Sequence, residues 1–564
     1  MPVCRNREVM IGQRVSLRMA GFKFSNKNAP KNIRRVVAGK RIGNHLDAGG
    51  FPRAGGCFCF SAVLALGFAT SAVGWAEHYS SIVVQIQDGS ERQGPDFPES
   101  LRGRADGSVM VSAVETREQA AFPEAPDVGV NWRSETNKSY LIPGAEILTY
   151  IFLLNQYDRH FTEPRDAYRT TGNTLWQHLT DSKWVIDNDQ FSVNQFLHPY
   201  GGTVYYGLAR SAGLNAYESF LYTAAGSFLW EVGGETTAPS INDQITTTFG
   251  GAFLGEPLFR MANLLLESEG ERPGLLRELG AAIISPPTGF NRLLFGNRFD
   301  AVFPSRNPAT FLRLQVGGSL SSSSHNVSES VKESGAVGDF AFTYGLPGKP
   351  GYTYDRPFDY FDFHLTAASA NTIESIETRG LLFGTRYGIG GSTRGIWGLY
   401  GSYDYIVPQV FRVSTTALSL GTTWQTWLGD SVALQGTALG GVGYGAAGRI
   451  NRTEERDYHY GATPQGLLAL RLIFGDRAMV DLTGREYYVS NVASPERNGQ
   501  ENILRGDASF TVRVFDRHGI AIRYVASHRD ASYPSLEVRN QTVSTVSLMY
   551  VLLGNTGFGA VEWR

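Results

Sequence analysis

The feature that most constrains the fold is a period-two pattern that runs through residues 305–564. In the stretch ASFTVRVFDRHGIAIRYVAS, apolar and polar side chains alternate over residues 508–514 and again over residues 520–526. Successive side chains of a strand point to opposite faces, so this stretch predicts a hairpin with one apolar face. The segments GLLALRLIFGDRAMVDL and TFLRLQVGGSL repeat the pattern. We therefore predict an antiparallel β domain here.

Strand length and spacing favour a membrane barrel over a soluble β protein. Segments of about ten residues, joined alternately by tight turns and longer polar loops, with aromatic residues near their ends, are typical of transmembrane β-barrels. A soluble β-sandwich or β-helix is the alternative, because its apolar faces also alternate. At roughly 20 residues per strand and turn, and with the even strand counts of bacterial barrels, we expect about twelve strands. The predicted fold is mainly β: a transmembrane antiparallel β-barrel preceded by a small α-helical segment.

The first 76 residues have the organisation of a secretory signal. Twelve Lys and Arg residues stand there against only Glu8 and Asp47. The apolar run FCFSAVLALGF then precedes small residues, which suits cleavage after Ala76 or, alternatively, after Ala72. This run falls short of the roughly 20 residues that span a bilayer, so a membrane anchor is the weaker interpretation. The basic lead is long, and Met19 is an alternative start.

Export changes the composition that matters. All three cysteines lie in the lead, so the exported chain depends on no disulfide. Removing the lead leaves 39 basic and 51 acidic residues, a net charge of −12. An acidic chain argues against nucleic acid as a partner. The expected location is the cell outer membrane of a Gram-negative bacterium, and the expected partners are outer-membrane lipid and the barrel-insertion machinery. Residues 77–139 are polar and rich in Pro and Gly, which predicts a flexible linker.

Residues 140–300, between linker and barrel, follow a helical period. The helix predicted at GAEILTYIFLLNQY is too short to span a bilayer. Charged residues interrupt the other apolar stretches, which argues against a lipid-exposed helical span. We expect this segment to form a plug inside the barrel or a periplasmic platform below it.

The stretch that begins NQFLHPYGGTVYYGLARSAG and ends TTTFGGAFLGEPLFR carries a resemblance to a known family. The matching elements are Asn194-Gln195, His198-Pro199-Tyr200, Ala209-Arg210, Trp230-Glu231, Glu235, Pro239-Ser240, Asn242-Asp243, Thr247 and Gly255-Glu256. On these residues the chain resembles the bacterial envelope family catalogued as domain of unknown function 3943 (DUF3943). Downstream, IWGLYGSYDYI resembles a strand of that family. The resemblance implies an outer-membrane β-barrel with a preceding helical segment, and it implies no established activity.

Four residues of the helical segment are candidates for a catalytic site: His198, Glu231, Glu235 and Asp243. Imidazole and carboxylate are ligand types for zinc or manganese, and paired carboxylates can divide acid and base roles. The spacing is loose, because a Gly-Gly pair separates the two glutamates and no HExxH-like motif is present. Convergence of the four within about 5 Å of one open point would favour an enzyme.

A structural interpretation explains the same region without chemistry. Asp243 would cap a helix, and Glu256 would pair with Arg260 one turn later. Arg210 would neutralise one of the two candidate glutamates. The residues assigned structural roles are Arg210, Asp243, Gly251, Gly255, Glu256 and Arg260, the two glycines through close helix packing. The sequence favours this interpretation, and we expect neither a cofactor nor a metal. The predicted protein is then a pore, scaffold or envelope-maintenance component, and the alternative is an enzyme acting on lipid or another envelope substrate.

Charged residues on the polar faces of the predicted strands should point into the barrel. Such charges are ordinary filling of a barrel lumen, although several arginines would favour anions. The residues expected in the lumen are Arg313, Asp362, His364, Arg471, Asp481, Arg513 and Arg523.

Overall fold

Twelve antiparallel strands close into a barrel in the computed structural model of the chain. The structure describes residues 138–267, 273–325, 329–449, 456–491, 499–533 and 536–564. Each strand pairs with its neighbours in sequence, and β1 pairs with β12 to close the sheet. The strands are β1 (Thr310–His325), β2 (Glu329–Tyr344), β3 (Phe361–Ala368), β4 (Ser375–Ile389), β5 (Thr393–Ile406), β6 (Phe411–Trp427), β7 (Val432–Arg449), β8 (Tyr458–Phe474), β9 (Ala478–Val489), β10 (Gln500–Phe515), β11 (His518–Tyr533) and β12 (Leu536–Leu553). This confirms the predicted fold class and strand number. The predicted signal peptide, and the linker up to residue 137, lie outside the described residues.

The hairpin predicted from alternation has the expected faces. Phe510 of β10 lies opposite Ile522 of β11, and Val512 lies opposite Ile520. These apolar side chains point away from the barrel axis, and Ile522 keeps 56% of its surface exposed. The strands are longer than predicted: β7 has 18 residues, because its pairing with β6 and β8 continues past the alternating apolar segment.

Ion pairs between strands that are not neighbours define the interior. Arg313 of β1 reaches Asp481 of β9 at 2.6 Å, so this pair crosses the lumen. Arg523 of β11 likewise reaches Asp339 of β2 at 2.9 Å. Six of the seven residues expected in the lumen form ion pairs and line one lumen cavity: Arg313, Asp362, His364, Arg471, Asp481 and Arg523. Arg513 lies on the same face of its strand but pairs with Asp476 in the β8–β9 turn.

The last eleven residues, 554–564, fold back over the barrel mouth at the end where β1 begins and β12 ends. Gln425 Nε2 donates to the Val561 carbonyl at 2.8 Å, and Gln435 Nε2 donates to the Gly559 carbonyl at 2.7 Å. Phe558, within this tail, is completely buried. Strand β12 ends at Leu553, so the terminal residues GAVEWR belong to the tail that covers the lumen and not to a strand.

The helical segment precedes the barrel. Its helices are α1 (Leu141–Phe161), α2 (Gly172–Thr180), α3 (His198–Ser211), α4 (Ala216–Gly233), α5 (Ile241–Ile245), α6 (Gly251–Leu266), α7 (Leu275–Ile284) and α8 (Pro286–Phe295). Side-chain N-caps mark the start of several of these helices. Asn215 caps α4 and forms a capping box with Glu218, for example. None of the helices in the described ranges combines the length and the mean hydropathy that crossing a membrane requires.

The helical segment packs against the outer wall of the barrel. On β5, Asp404 points inward to Arg485, whereas the next side chain, Tyr403, points outward and donates its hydroxyl to the Gln195 carbonyl at 2.5 Å. Phe253 of α6 lies directly over Gly401 of the same strand. Helices and outward side chains form one core, whose strand members include Phe340, Phe342, Phe361, Phe363, Tyr403, Tyr405, Tyr458 and Tyr460.

This position corrects the expected one. We predicted a plug in the lumen or a platform below the barrel, but in the described residues the helices lie beside the wall. The lumen is already filled by ion pairs and covered by the tail. The outward aromatic side chains of this core, such as Phe342 and Tyr403, therefore meet protein. The sequence pattern alone does not distinguish a wall covered by protein from one covered by lipid.

Close packing of α3 against α6 depends on glycine. A Cβ on Gly251 would lie 2.6 Å from the backbone of Gly202, so no side chain fits between the two helices. We expect Gly251→Ala to lower the free energy of unfolding by about 1–3 kcal/mol, as overpacking does. Gly201→Ala is the matched control, because nothing lies within 4 Å of its Cβ position. Urea unfolding in detergent, followed by tryptophan fluorescence, measures both. Equal midpoints for the two variants would show that the helices can separate at no cost.

Candidate functional site

His198, Glu231 and Asp243 converge between α3, α4 and α5. One ligand atom from each residue lies within 4.8 Å of those of the other two. His198 Nε2 is 3.9 Å from Asp243 Oδ2. Glu231 and Asp243 are buried, whereas the His198 side chain keeps 14% of its surface exposed. Three of the four candidate residues thus meet at a point that is accessible on the histidine side.

Glu235, the fourth candidate, lies apart from this cluster. Its carboxylate accepts hydrogen bonds from Trp230 Nε1 at 3.2 Å and from Thr237 Oγ1 at 3.0 Å. Helix α4 ends at Gly233, so the chain changes direction between Glu231 and Glu235. Its role in the structure is therefore to tie the end of α4 to the following loop.

Two π-helical turns frame the cluster. Val193–Leu197 forms one directly before His198, and Thr246–Gly250 forms the other directly after α5, which carries Asp243. Such turns are rare and occur frequently at functional sites. Thr247 in the second turn has its hydroxyl 3.3 Å from His198 Nδ1. This contact leaves Nε2 to face the carboxylates.

Asp243 is not the helix cap that we predicted. Ser240 caps α5: its backbone is extended, and its hydroxyl accepts a hydrogen bond from the Asp243 N–H at 3.2 Å. The helix begins earlier than expected, immediately after Pro239-Ser240. The Asp243 carboxylate is consequently inside the first turn, where it faces His198 instead of the helix end.

Each carboxylate of the cluster accepts a hydrogen bond through one of its two oxygens. Glu231 Oε2 accepts from the Ser240 N–H at 2.7 Å, and Asp243 Oδ1 accepts from Asn242 Nδ2 at 3.0 Å. Burial raises the pKa of Glu231 well above its usual range, and the charge of Asp243 adds to this. Burial, together with the charge of Asp187, does the same to the pKa of Asp243.

We expected Arg210 to neutralise Glu231 or Glu235, but it neutralises Glu256 instead. Its guanidinium binds the Glu256 carboxylate through Nε at 2.7 Å and Nη2 at 3.0 Å. The reason is position: Arg210 lies at the far end of α3 from His198, opposite α6. The cluster that holds His198 is therefore left without this cation.

Glu256 is the centre of a second buried network. Arg260 donates from Nε to Glu256 at 2.8 Å, which is the i,i+4 pair, and from Nη1 to Asp359 at 2.9 Å. Tyr206 also donates its hydroxyl to Glu256 at 2.9 Å. Burial by itself raises the pKa of Glu256, but the charges of Arg210 and Arg260 outweigh it and bring this pKa down to about 2. Every oxygen of this carboxylate has partners, so the network is structural.

Apolar side chains cover the outer surface of the helices around the cluster. On α1, large apolar residues recur on one face, and Phe152 is 61% exposed. On the short helix α2, Trp176 is 67% exposed. The exposed apolar residues on or beside the helices of the cluster include Leu175, Trp176, Leu179, Phe228, Leu229 and Ile241. Soluble surfaces rarely expose apolar side chains at this density.

Sequence reasoning missed the residues that join the cluster to the barrel wall. Asn242 Nδ2 donates to Tyr460 of β8 at 2.8 Å and to Asp187 Oδ1 at 3.1 Å. Tyr458 donates its hydroxyl to the Asp189 carbonyl at 2.8 Å. Aromatic residues at a strand end predict a membrane interface, and nothing local marks these two tyrosines as partners of a distant loop.

Residues 183–287 match the family model described as a domain of unknown function (DUF3943). The match confirms the resemblance over this segment, and the segment contains the whole His198, Glu231 and Asp243 cluster. A search of curated proteins finds no match to the chain.

Several solved outer-membrane barrels align with part of the chain. An outer membrane channel from Pseudomonas putida F1 has 10% identity and a TM-score of 0.25, and covers 44% of this chain and 96% of its own. An anion-selective porin from Comamonas acidovorans has 10% identity and a TM-score of 0.18, covering 43% and 99%. The NalP translocator domain from Neisseria meningitidis has 13% identity and a TM-score of 0.21, covering 43% and 88%. At such low TM-scores the fold assignment rests on the strand pairing itself, which is that of an outer-membrane type of barrel.

Proposed function

We propose that the barrel anchors the helical segment in the outer membrane and that His198, Glu231 and Asp243 form a hydrolytic site for an envelope lipid. The position of the cluster supports this proposal. It lies in helices that cover the outer wall of the barrel, where lipid would otherwise contact the strands. The exposed apolar side chains around it suit acyl chains, and the partly exposed His198 gives access to the site.

The residue types suit cleavage of an ester bond. Water oxygen adds to the carbonyl carbon, the ester C–O bond breaks, and the proton of the water passes to the leaving alkoxide oxygen. Carboxylate and imidazole groups can accept that proton and return it. The buried Glu231 and Asp243, with His198 at the accessible edge, place both kinds of group at one point.

Release of fatty acid from lipid tests the proposal. Purified full-length protein in detergent is mixed with outer-membrane lipid from a deletion strain, and products are followed by mass spectrometry. We expect release with the wild type and none with His198→Ala, at equal folding by heat-modified migration in gels. Glu235→Gln is the control and should retain release. Equal release by the wild type and His198→Ala, or none by either, would remove the hydrolytic assignment.

A pore is the second candidate. Two cavities of about 110 and 210 Å³ remain in the lumen, lined in part by arginines. The ion pairs across the lumen and the tail over its mouth oppose free passage. Conductance in planar bilayers distinguishes the candidates, since the enzyme proposal requires none.

Placement in the bilayer predicts a sharp difference between two faces of β11. Ile522 points outward, whereas Val525 lines the 210 Å³ lumen cavity together with Glu333 and Glu374. We expect Ile522→Arg to cost about 2–4 kcal/mol, the penalty for arginine on the lipid face near mid-bilayer. Val525→Arg should be tolerated, because the cavity offers space and carboxylates. Yield of heat-modifiable protein in outer-membrane fractions reports assembly. The reverse ranking would place the lipid on the other face.

A further inference from the structure

The cluster of His198, Glu231 and Asp243 has a geometry close to that of a metal site. Ligands at about 2.0–2.2 Å from a tetrahedral zinc ion stand roughly 3.3–3.6 Å apart. Here His198 Nε2 and Asp243 Oδ2 are 3.9 Å apart, and the three ligand atoms lie within 4.8 Å of one another. An inward movement of about 1 Å would bring all three to coordinating distance.

Hydrogen bonds orient the side chains of the cluster. Glu231 Oε2 accepts from the Ser240 N–H, and Asp243 is held by the Asn242 amide through Oδ1 and by the Ser240 side chain. Thr247 likewise holds the far nitrogen of His198. Hydrogen bonds to the far side of each ligand are how proteins orient metal ligands.

The charge of the cluster calls for a cation. Buried carboxylates are stable when paired, and Glu256 in the same segment is paired with two arginines. Within the described ranges, no Lys or Arg forms an ion pair with Glu231 or Asp243; their single basic neighbour is His198. Without a cation, burial favours the protonated carboxyl groups; a divalent ion would balance the charge of both carboxylates once they are ionised.

We propose that His198, Glu231 and Asp243 bind a zinc ion. One imidazole and two carboxylates suit zinc better than magnesium or calcium, which prefer oxygen alone. Three protein ligands leave one position of a tetrahedral ion open to water, as in catalytic zinc sites. The inference rests on the proposed function for the use of that water, but zinc binding itself stands on the geometry alone.

Zinc content tests the inference independently of activity. Full-length protein is purified in detergent, stripped with chelator, dialysed against zinc chloride and analysed by mass spectrometry of the metal. We expect about one zinc per chain in the wild type and in Glu235→Gln. His198→Ala and the near-isosteric Asp243→Asn should weaken binding by more than the roughly 10–100-fold that loss of an outer hydrogen-bond partner costs. The folded state of each variant is checked by heat-modified migration.

The outcomes separate the two proposals. Wild-type protein that holds no more zinc than a folded Asp243→Asn variant would overturn the metal site. Lipid cleavage by wild-type protein that takes up no zinc on dialysis would overturn the metal site alone and leave the hydrolytic site. Stoichiometric zinc without any lipid cleavage would support the metal site and remove the proposed lipid substrate.

Discussion

Replacing Glu256 by glutamine is expected to lower the free energy of unfolding by about 3–5 kcal/mol. Arg210 and Arg260 are both buried against this carboxylate, at 2.7 and 2.8 Å. Loss of its charge leaves two buried guanidinium groups short of a counter-ion, of which only Arg260 retains another, Asp359. Urea unfolding in detergent micelles measures the difference.

A matched control separates burial from pairing. Glu278 also binds an arginine, Arg292, but its side chain keeps 33% of its surface exposed, so Glu278→Gln should cost about 1 kcal/mol or less. A Glu256→Gln variant no less stable than Glu278→Gln would mean that the buried network contributes little.

The same network predicts a pH dependence. The folded pKa of Glu256, about 2, is below its ordinary value of 4.5, so its contribution to stability is fully present above that ordinary value. The contribution is lost as the pH falls from about 4.5 towards 2. We expect the wild type to lose its advantage over Glu256→Gln across this range. A difference between the two proteins that is constant with pH would contradict the pairing.

Replacing Glu231 by glutamine is expected to lower lipid turnover by about 10²–10⁴-fold while the protein level stays unchanged. Glutamine keeps the shape of the side chain, but an amide is neither a general base nor an anionic metal ligand. Lipid profiling of a deletion strain complemented with each variant measures the effect in the cell.

Asp243→Asn distinguishes the two interpretations of the region most sharply. Asn caps a helix about as well as Asp, so a capping role would leave this variant silent. Because Ser240 is the cap and Asp243 faces His198, we expect Asp243→Asn to fail as Glu231→Gln does, and Glu235→Gln to succeed. Full complementation by Asp243→Asn would return the cluster to a structural role.

The barrel was predictable because its signal is local. Alternation in a segment such as residues 508–514 reports the two faces of a strand without knowledge of its neighbours. The position of the helices was not predictable in this way. Phe342 and Tyr403 satisfy the same alternation whether lipid or protein covers the outer wall.

The candidate site was predictable in residue type but not in arrangement. His198 and Asp243 are 45 positions apart, and a π turn lies next to each of their helices, which the sequence pattern did not predict. Arg210 had several acidic residues within reach along the sequence. Arg210 pairs with Glu256 because α3 and α6 cross closely, which the glycines at positions 202 and 251 permit.

Labelling of single cysteines with a lipid-soluble maleimide in native membranes tests directly whether the helical segment covers the outer wall. The three cysteines, Cys4, Cys57 and Cys59, are first replaced by serine, so that each introduced thiol reports alone. Ser414 and Leu420 lie on the same outward face of β6, but Ser414 is 1% exposed beneath the helices and Leu420 is 61% exposed. We predict that Leu420→Cys is labelled and Ser414→Cys is protected. Equal labelling of both would place the helices away from the wall and contradict the account.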